Sequence, residues 1–112
     1  MDAVNQPDTM ARGLSFATVT VLHAIARGYE YGFDVIDATG LPSGTVYPAL
    51  SRLERDGYLR SDWEDESAAH ADKRPPRRYY RITAPGVRAL EAAVKRYRAL
   101  GPVRRVAPAR GR

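Results

Sequence analysis

The sequence predicts a mainly α fold with one small β-hairpin, and three observations carry that reading. Apolar residues recur at helical spacing in segments closed by Gly28, Gly40 and Gly57. Two aromatic-rich runs, Tyr58 to Trp63 and Arg77 to Ile82, flank a polar stretch holding Pro75-Pro76 and read as paired strands. A last helical run follows, with Val87, Leu90, Val94 and Tyr97 spaced three and four apart. With 112 residues there is room for one small domain and tails, and too little chain for a doubly wound sheet or a barrel.

Each element has its own start and stop signals. Residues 1–12 are polar, contain Pro7 and show no periodicity, so they read as a flexible arm. A first helix is expected over about 15–27, capped by Ser15 and stapled by Leu14 against Val19. Phe16, Val19, Leu22, His23 and Ala26 form its apolar side. A second helix fits Tyr31 to Thr39, with Val35 and Ile36 inward and Gly40 as terminator. The third is expected to start near Thr45, with Pro48 in its first turn, and to stop at Gly57. Val46, Leu50 and Leu53 make its apolar stripe, which leaves Pro48, Ser51, Arg52 and Arg55 on the opposite face with Thr45 and Tyr47 at its margins. Leu59 and Trp63 share one strand parity, as a half-buried strand requires. Glu64 to Pro76 reads as a long mobile hairpin tip, and Thr83 caps the final helix.

Composition narrows the function classes. Hydrophobic residues make up 44% and charged residues 28%, which suits a folded core. The absence of cysteine excludes disulfides, thiolate zinc sites and thiol catalysis. No apolar run approaches the roughly 20 residues of a membrane span. The first residues lack a signal-peptide pattern, so a soluble cytoplasmic protein is expected. Of the net charge of +5, four arginines fall in residues 101–112, and residues 13–100 carry only a net +2. Any nucleic-acid argument therefore rests on where the charge sits.

Three short helices, a hairpin and a closing helix form the winged helix-turn-helix order, in which the third helix enters the DNA major groove. Residues 13–83 are assigned to that unit, 84–100 to a dimerisation helix and 101–112 to a disordered basic tail. The segments Tyr31-Gly32-Phe33-Asp34-Val35-Ile36, Gly44-Thr45-Val46-Tyr47-Pro48-Ala49-Leu50-Ser51-Arg52-Leu53-Glu54 and Gly57-Tyr58-Leu59 resemble PadR-type transcriptional repressors. Trp63-Glu64, Arg78-Tyr79-Tyr80-Arg81-Ile82-Thr83 and Gly86 fit the same family, and the resemblance covers roughly residues 14–100. It implies a dimer joined through the C-terminal helix, and repression of nearby genes relieved by a small molecule or other signal. Tyr31 and Phe33 depart from the family's usual residues and are expected to be packing variations. The C-terminal helix holds Tyr97 and no tryptophan, so the planar-drug pocket of some short members is not carried over.

Together these readings nominate Ser43, Thr45, Tyr47, Pro48, Ser51, Arg52 and Arg55 as contacts to double-stranded operator DNA. Arg52 has the reach to pair with guanine O6 and N7, and Ser43 and Tyr47 suit phosphates. From the residues alone, the same face reads equally as a solvated surface. In the wing, Lys73, Arg74, Arg77 and Arg78 are dense enough to neutralise phosphates, while Asp62, Glu64, Asp65 and Glu66 offer them partners across the hairpin. Val87, Leu90, Val94 and Tyr97 are nominated as an intersubunit seam, because so small a core leaves the helix little to cover. Tyr79 and Tyr80 read as core cover, and Trp63 as closing the core edge or lining an effector pocket. The tail arginines Arg104, Arg105, Arg110 and Arg112 add DNA affinity or merely solubility. No metal or cofactor is expected, and no set of reactive groups suggests an enzyme. The runner-up is a winged-helix protein-interaction module that does not bind DNA.

Overall fold

The computed structural model describes residues 14–101. The expected arm over 1–12 and the tail arginines Arg104, Arg105, Arg110 and Arg112 lie outside the described residues. In order come α1 (Phe16–Ala26), α2 (Gly32–Thr39), α3 (Ser43–Arg55), β1 (Leu59–Trp63), α4 (Glu66–Ala71), β2 (Arg78–Ile82) and α5 (Ala84–Arg98).

α1 is the central element and packs against α2, α3, α5 and β2. Ser15 caps it by accepting from the Thr18 amide at 3.1 Å, and Leu14 and Val19 are both buried beside that cap. Thr18, Val19, Val21, Leu22, Ala24 and Ile25 are buried. That spread covers both flanks of the helix, so its periodicity does not single out one inward stripe. Phe16, His23 and Ala26, expected inward, are exposed instead.

Val35 of α2 and Val46, Leu50 and Leu53 of α3 complete the core with Leu59 and Tyr80. Gly40 ends α2 in the left-handed region at φ 74°, where a side chain would be strained. β1 and β2 are antiparallel, with Leu59 opposite Ile82 and Ser61 opposite Tyr80. An isolated bridge from Tyr31 to Tyr79, with the Tyr80 amide donating to the Glu30 carbonyl at 2.8 Å, lays the chain before α2 along the free edge of β2.

Two expectations for α3 and the hairpin tip are corrected. α3 begins at Ser43, two residues before Thr45, and Pro48 is its sixth residue rather than a first-turn one. The tip is not a loop throughout, because it folds into α4. Asp65 caps that turn by accepting from the Ser67 amide at 3.1 Å, and Ala69 is fully buried beneath it.

Thr83 caps α5 by accepting from the Gly86 amide at 3.0 Å. Its inward row is Gly86, Ala89, Leu90 and Ala93, and the small Gly86, Ala89 and Ala93 bring the helix close to its own protomer. Leu90, nominated for an intersubunit seam, is only 9% exposed within this single chain and belongs to the core. Val87 is exposed, and Val94 and Tyr97 are half-buried against that core. The heptad reading selected the bulky residues, whereas close approach at i, i+3 and i+7 is made by Gly86, Ala89 and Ala93, with Leu90 at i+4 packing into the core between them. Among the described residues no helix is long and apolar enough to cross a membrane.

Candidate nucleic-acid interface

The hydrophobic stripe of α3 turns its other face outward by simple helical geometry. Ser43, Tyr47, Pro48, Ser51, Arg52 and Arg55 are exposed and Thr45 is half-buried. Pro42 occupies the N-cap without a side-chain acceptor, so the α3 amides of Ser43 and Gly44 have no protein partner among the described residues. Neither Arg52 nor Arg55 enters an ion pair among the described residues. The two guanidiniums are therefore available to an external anion.

Tyr47 is held by an unusually close approach to α2. A Cβ at Gly32 would stand 2.9 Å from Tyr47 Cζ and 3.0 Å from its hydroxyl oxygen, so only glycine leaves the ring its place. Tyr31, Gly32, Phe33, Tyr47, Arg77, Arg78 and Tyr80 line a cleft of about 430 Å³ where α2, α3 and β2 meet. Phe33 stands 72% exposed at its rim, so its ring is not a core element. Tyr80 is buried in the floor, and burial pushes its phenol above the usual range.

A polar cluster fixes α3 to the wing. Ser61 of β1 donates to Glu54 Oε2 at 2.6 Å, Arg78 Nε donates to Ser61 Oγ at 2.9 Å, and an Arg78 NH2 group reaches Glu54 Oε1 at 3.3 Å. Arg78 also lies 5.6 Å from the centroid of Trp63. Trp63 is 62% exposed beneath it, because β1 runs past the edge of the core; it does not close the core as expected.

The wing arginines divide by partner. Arg74, expected to face DNA, is gripped by its own wing: it donates to Glu64 Oε1 at 2.6 Å and Oε2 at 2.9 Å, and to Asp72 at 3.1 Å. The Arg74 hydrogen bonds hold the Glu64 carboxyl down at about 2, and Glu64 raises the Arg74 guanidinium in return. Lys73 is exposed at φ 59°, a left-handed residue closing the turn after α4. Arg77 is exposed and stacks over Tyr31 at 5.3 Å. Sequence reasoning missed Glu54 and Ser61 as the partners of Arg78, since nothing local links residues so far apart in the chain. Glu64 was legible as a cross-hairpin acid, although not as the specific partner of Arg74.

A second surface feature lies between α1 and α5. Phe16, Val19, Thr20, His23, Val94 and Tyr97 line an apolar groove of about 670 Å³. Phe16 is 66% exposed and meets Tyr97 edge to face at 5.4 Å.

Three helices packed around α1, with an outward-facing third helix beside a two-stranded wing, define a winged helix-turn-helix protein. Comparison with known proteins identifies the family. The Transcriptional regulator PadR-like family matches residues 21–92, and the chain belongs to it. A PadR family regulator from Eggerthella lenta is similar at 26% identity and TM-score 0.63, covering 88% of this chain and 85% of that one. A PadR family regulator from Clostridium difficile shares the fold at 22% identity and TM-score 0.67, covering 77% and 91%. No curated protein matches the sequence significantly.

Proposed function

We propose that this chain is a cytoplasmic, sequence-specific repressor that binds operator DNA as a homodimer and is released by an effector. The observation that carries the reading is the outward face of α3, where Arg52 and Arg55 are exposed and unpaired beside Ser51 and Tyr47. Arg52 reads base edges, and Ser43, Thr45, Tyr47, Pro48, Ser51 and Arg55 position the helix against backbone and groove. In the wing, Lys73 and Arg77 meet phosphates, while Arg74 and Arg78 hold the wing in shape.

The α1/α5 groove supports self-association. Phe16, Val94 and Tyr97 present apolar surface there, and Val87 is exposed on the same C-terminal helix. Two-fold symmetry then sets two half-sites about one helical turn apart. Effector relief rests on family membership alone, and no residue is assigned to it.

The test is fluorescence anisotropy with DNA upstream of the protein's own gene and with random duplex, at two salt concentrations. Wild type should prefer the upstream DNA with two copies per duplex, and Arg52→Ala should erase most of that preference. A folded wild type without salt-dependent affinity for either duplex would favour the protein-interaction module.

A further inference from the structure

The cleft between α2, α3 and β2 holds groups that duplex DNA leaves unused. At about 430 Å³ it falls within the size range of small-molecule sites, roughly 300–1,000 Å³. Tyr31, Phe33, Tyr47 and Tyr80 bring four rings to its walls, with Arg77 and Arg78 beside them. Among the described residues, no carboxylate lines it.

Two of these groups lack a partner inside the protein. Tyr80 is only 8% exposed, yet its hydroxyl enters no hydrogen bond among the described residues. A buried hydroxyl left unpaired costs stability, and a bound ligand with a polar ring edge would satisfy it. The Arg77 guanidinium stacks on Tyr31 at 5.3 Å and enters no ion pair or hydrogen bond among the described residues. So stacked, it is restrained yet keeps its N–H fork free for an anion. Glu64, which accepts from the Arg77 amide, is already engaged by Arg74. Arg78 differs, because Ser61 and Glu54 hold it.

The combination selects the chemistry of the ligand. A hydrocarbon would leave Arg77 and the Tyr80 hydroxyl unanswered, and inorganic phosphate would leave the rings unanswered. Duplex DNA presents phosphates but keeps its bases in the stack, out of reach of these side chains. A free nucleotide meets all three needs. Its base packs against the rings, a ring heteroatom meets the Tyr80 hydroxyl, and its phosphate meets Arg77.

We propose that this cleft binds a free mononucleotide and that its occupancy excludes DNA. Tyr47 and Arg77 belong both to the cleft and to the proposed DNA contacts, so one ligand displaces the other. The inference rests on the DNA-binding reading and supplies it with a regulator.

Adenosine monophosphate (AMP) is the probe, titrated calorimetrically into the full chain beside adenosine, inorganic phosphate and naphthoate at matched ionic strength. AMP should bind at least about tenfold more tightly than adenosine or phosphate. Arg77→Gln should lower AMP affinity about tenfold and leave adenosine unchanged, since only the phosphate contact goes. Phe33→Ala, at an exposed position, should weaken AMP and adenosine alike by about fivefold or more. Tyr80→Phe should weaken AMP about fivefold while its Tm holds or rises, because the unpaired hydroxyl is gone. In anisotropy with labelled duplex, AMP at about nine times its own Kd should raise the apparent DNA Kd about tenfold. Inorganic phosphate at the same ionic strength should not. AMP affinity no better than that of phosphate, or untouched by Phe33→Ala and Arg77→Gln, overturns the site. Equally tight binding of naphthoate overturns nucleotide selection. Variant-sensitive AMP binding with unchanged DNA affinity overturns the exclusion of DNA. Variant-sensitive AMP binding by a folded chain without salt-dependent DNA affinity overturns the DNA-binding reading and leaves the nucleotide site standing.

Discussion

Gly32→Ala tests whether α2 sets the position of Tyr47. Gly32 is buried at the first position of α2, and an added methyl there would overlap the Tyr47 ring edge. Two terms oppose each other. Alanine is favoured over glycine by up to about 1 kcal/mol in a helix, and by less in its first turn. Overpacking costs about 1–3 kcal/mol, and the low end applies because the half-exposed Tyr47 ring can swing outward. The net loss should be about 0–1 kcal/mol, a fall of at most roughly 4–8 °C in Tm for a domain of this size. DNA affinity should suffer more. A displaced hydroxyl would forfeit the proposed hydrogen bond to a charged phosphate, about 1.5–3 kcal/mol, or roughly tenfold to hundredfold in Kd. Thermal unfolding and anisotropy of Gly32→Ala, Tyr47→Ala and the double variant complete a cycle. Without the ring, Gly32→Ala should become neutral or stabilising, with a stability coupling of about 1 kcal/mol. Additive stability effects, or wild-type DNA affinity in Gly32→Ala, would refute the reasoning.

Two further perturbations separate the scaffold from the wing. At Gly86 a Cβ would collide with the Tyr58 carbonyl oxygen and stand 2.8 Å from Ile82 Cγ1, and a backbone carbonyl cannot rotate away. Gly86→Ala should therefore cost about 2–3 kcal/mol in thermal or denaturant unfolding, and a wild-type midpoint would disprove the contact. Glu64 is held at about 2, below its ordinary value of 4.5, so its pairing with Arg74 stabilises the folded wing above about pH 4.5. That contribution is lost as pH falls from about 4.5 through about 2. Emission from Trp63, the sole tryptophan, should follow this loss, and the difference between wild type and Glu64→Gln should vanish toward pH 2. A difference independent of pH would dissociate the pair from wing stability.

The helices of the core were legible because their signals are local. Ser15, Gly40 and Thr83 are caps readable from residue type, and Val46, Leu50 and Leu53 mark an inward stripe that leaves one face for a ligand. Where local pattern carries no contrast, the reading failed. α1 is buried on both flanks, so its apolar spacing placed Phe16 and His23 inward wrongly. α5 approaches its own protomer through Gly86, Ala89 and Ala93, which a search for bulky seam residues passes over, and Leu90 packs in the same chain's core. α4 hid behind Pro75-Pro76, although Asp65 before Ser67 and three alanines carried its signature. The pairing of Arg78 with Glu54 joins residues 24 apart, and only the fold brings them together.

That pairing explains why net charge was a poor guide to the binding surface. The wing spends Arg74 on Glu64 and Asp72, and Arg78 on Glu54, so these cations shape the wing and offer little free charge outward. Exposed pairs of this kind contribute little stability singly. Their geometry matters more, since Glu54 lies on α3 and Ser61 and Arg78 on the two strands, making one cluster that sets helix against hairpin. The unpaired cations Arg52, Arg55, Arg60, Arg77 and Arg81 are then displayed on regular elements or at a strand's end, at distances that the cluster holds constant. A polyanion with fixed phosphate spacing rewards that rigidity, because donors already in register lose less entropy on binding. The acids of the wing therefore do not argue against DNA binding: by engaging two arginines inside the fold, they hold in place the surface on which the others are free.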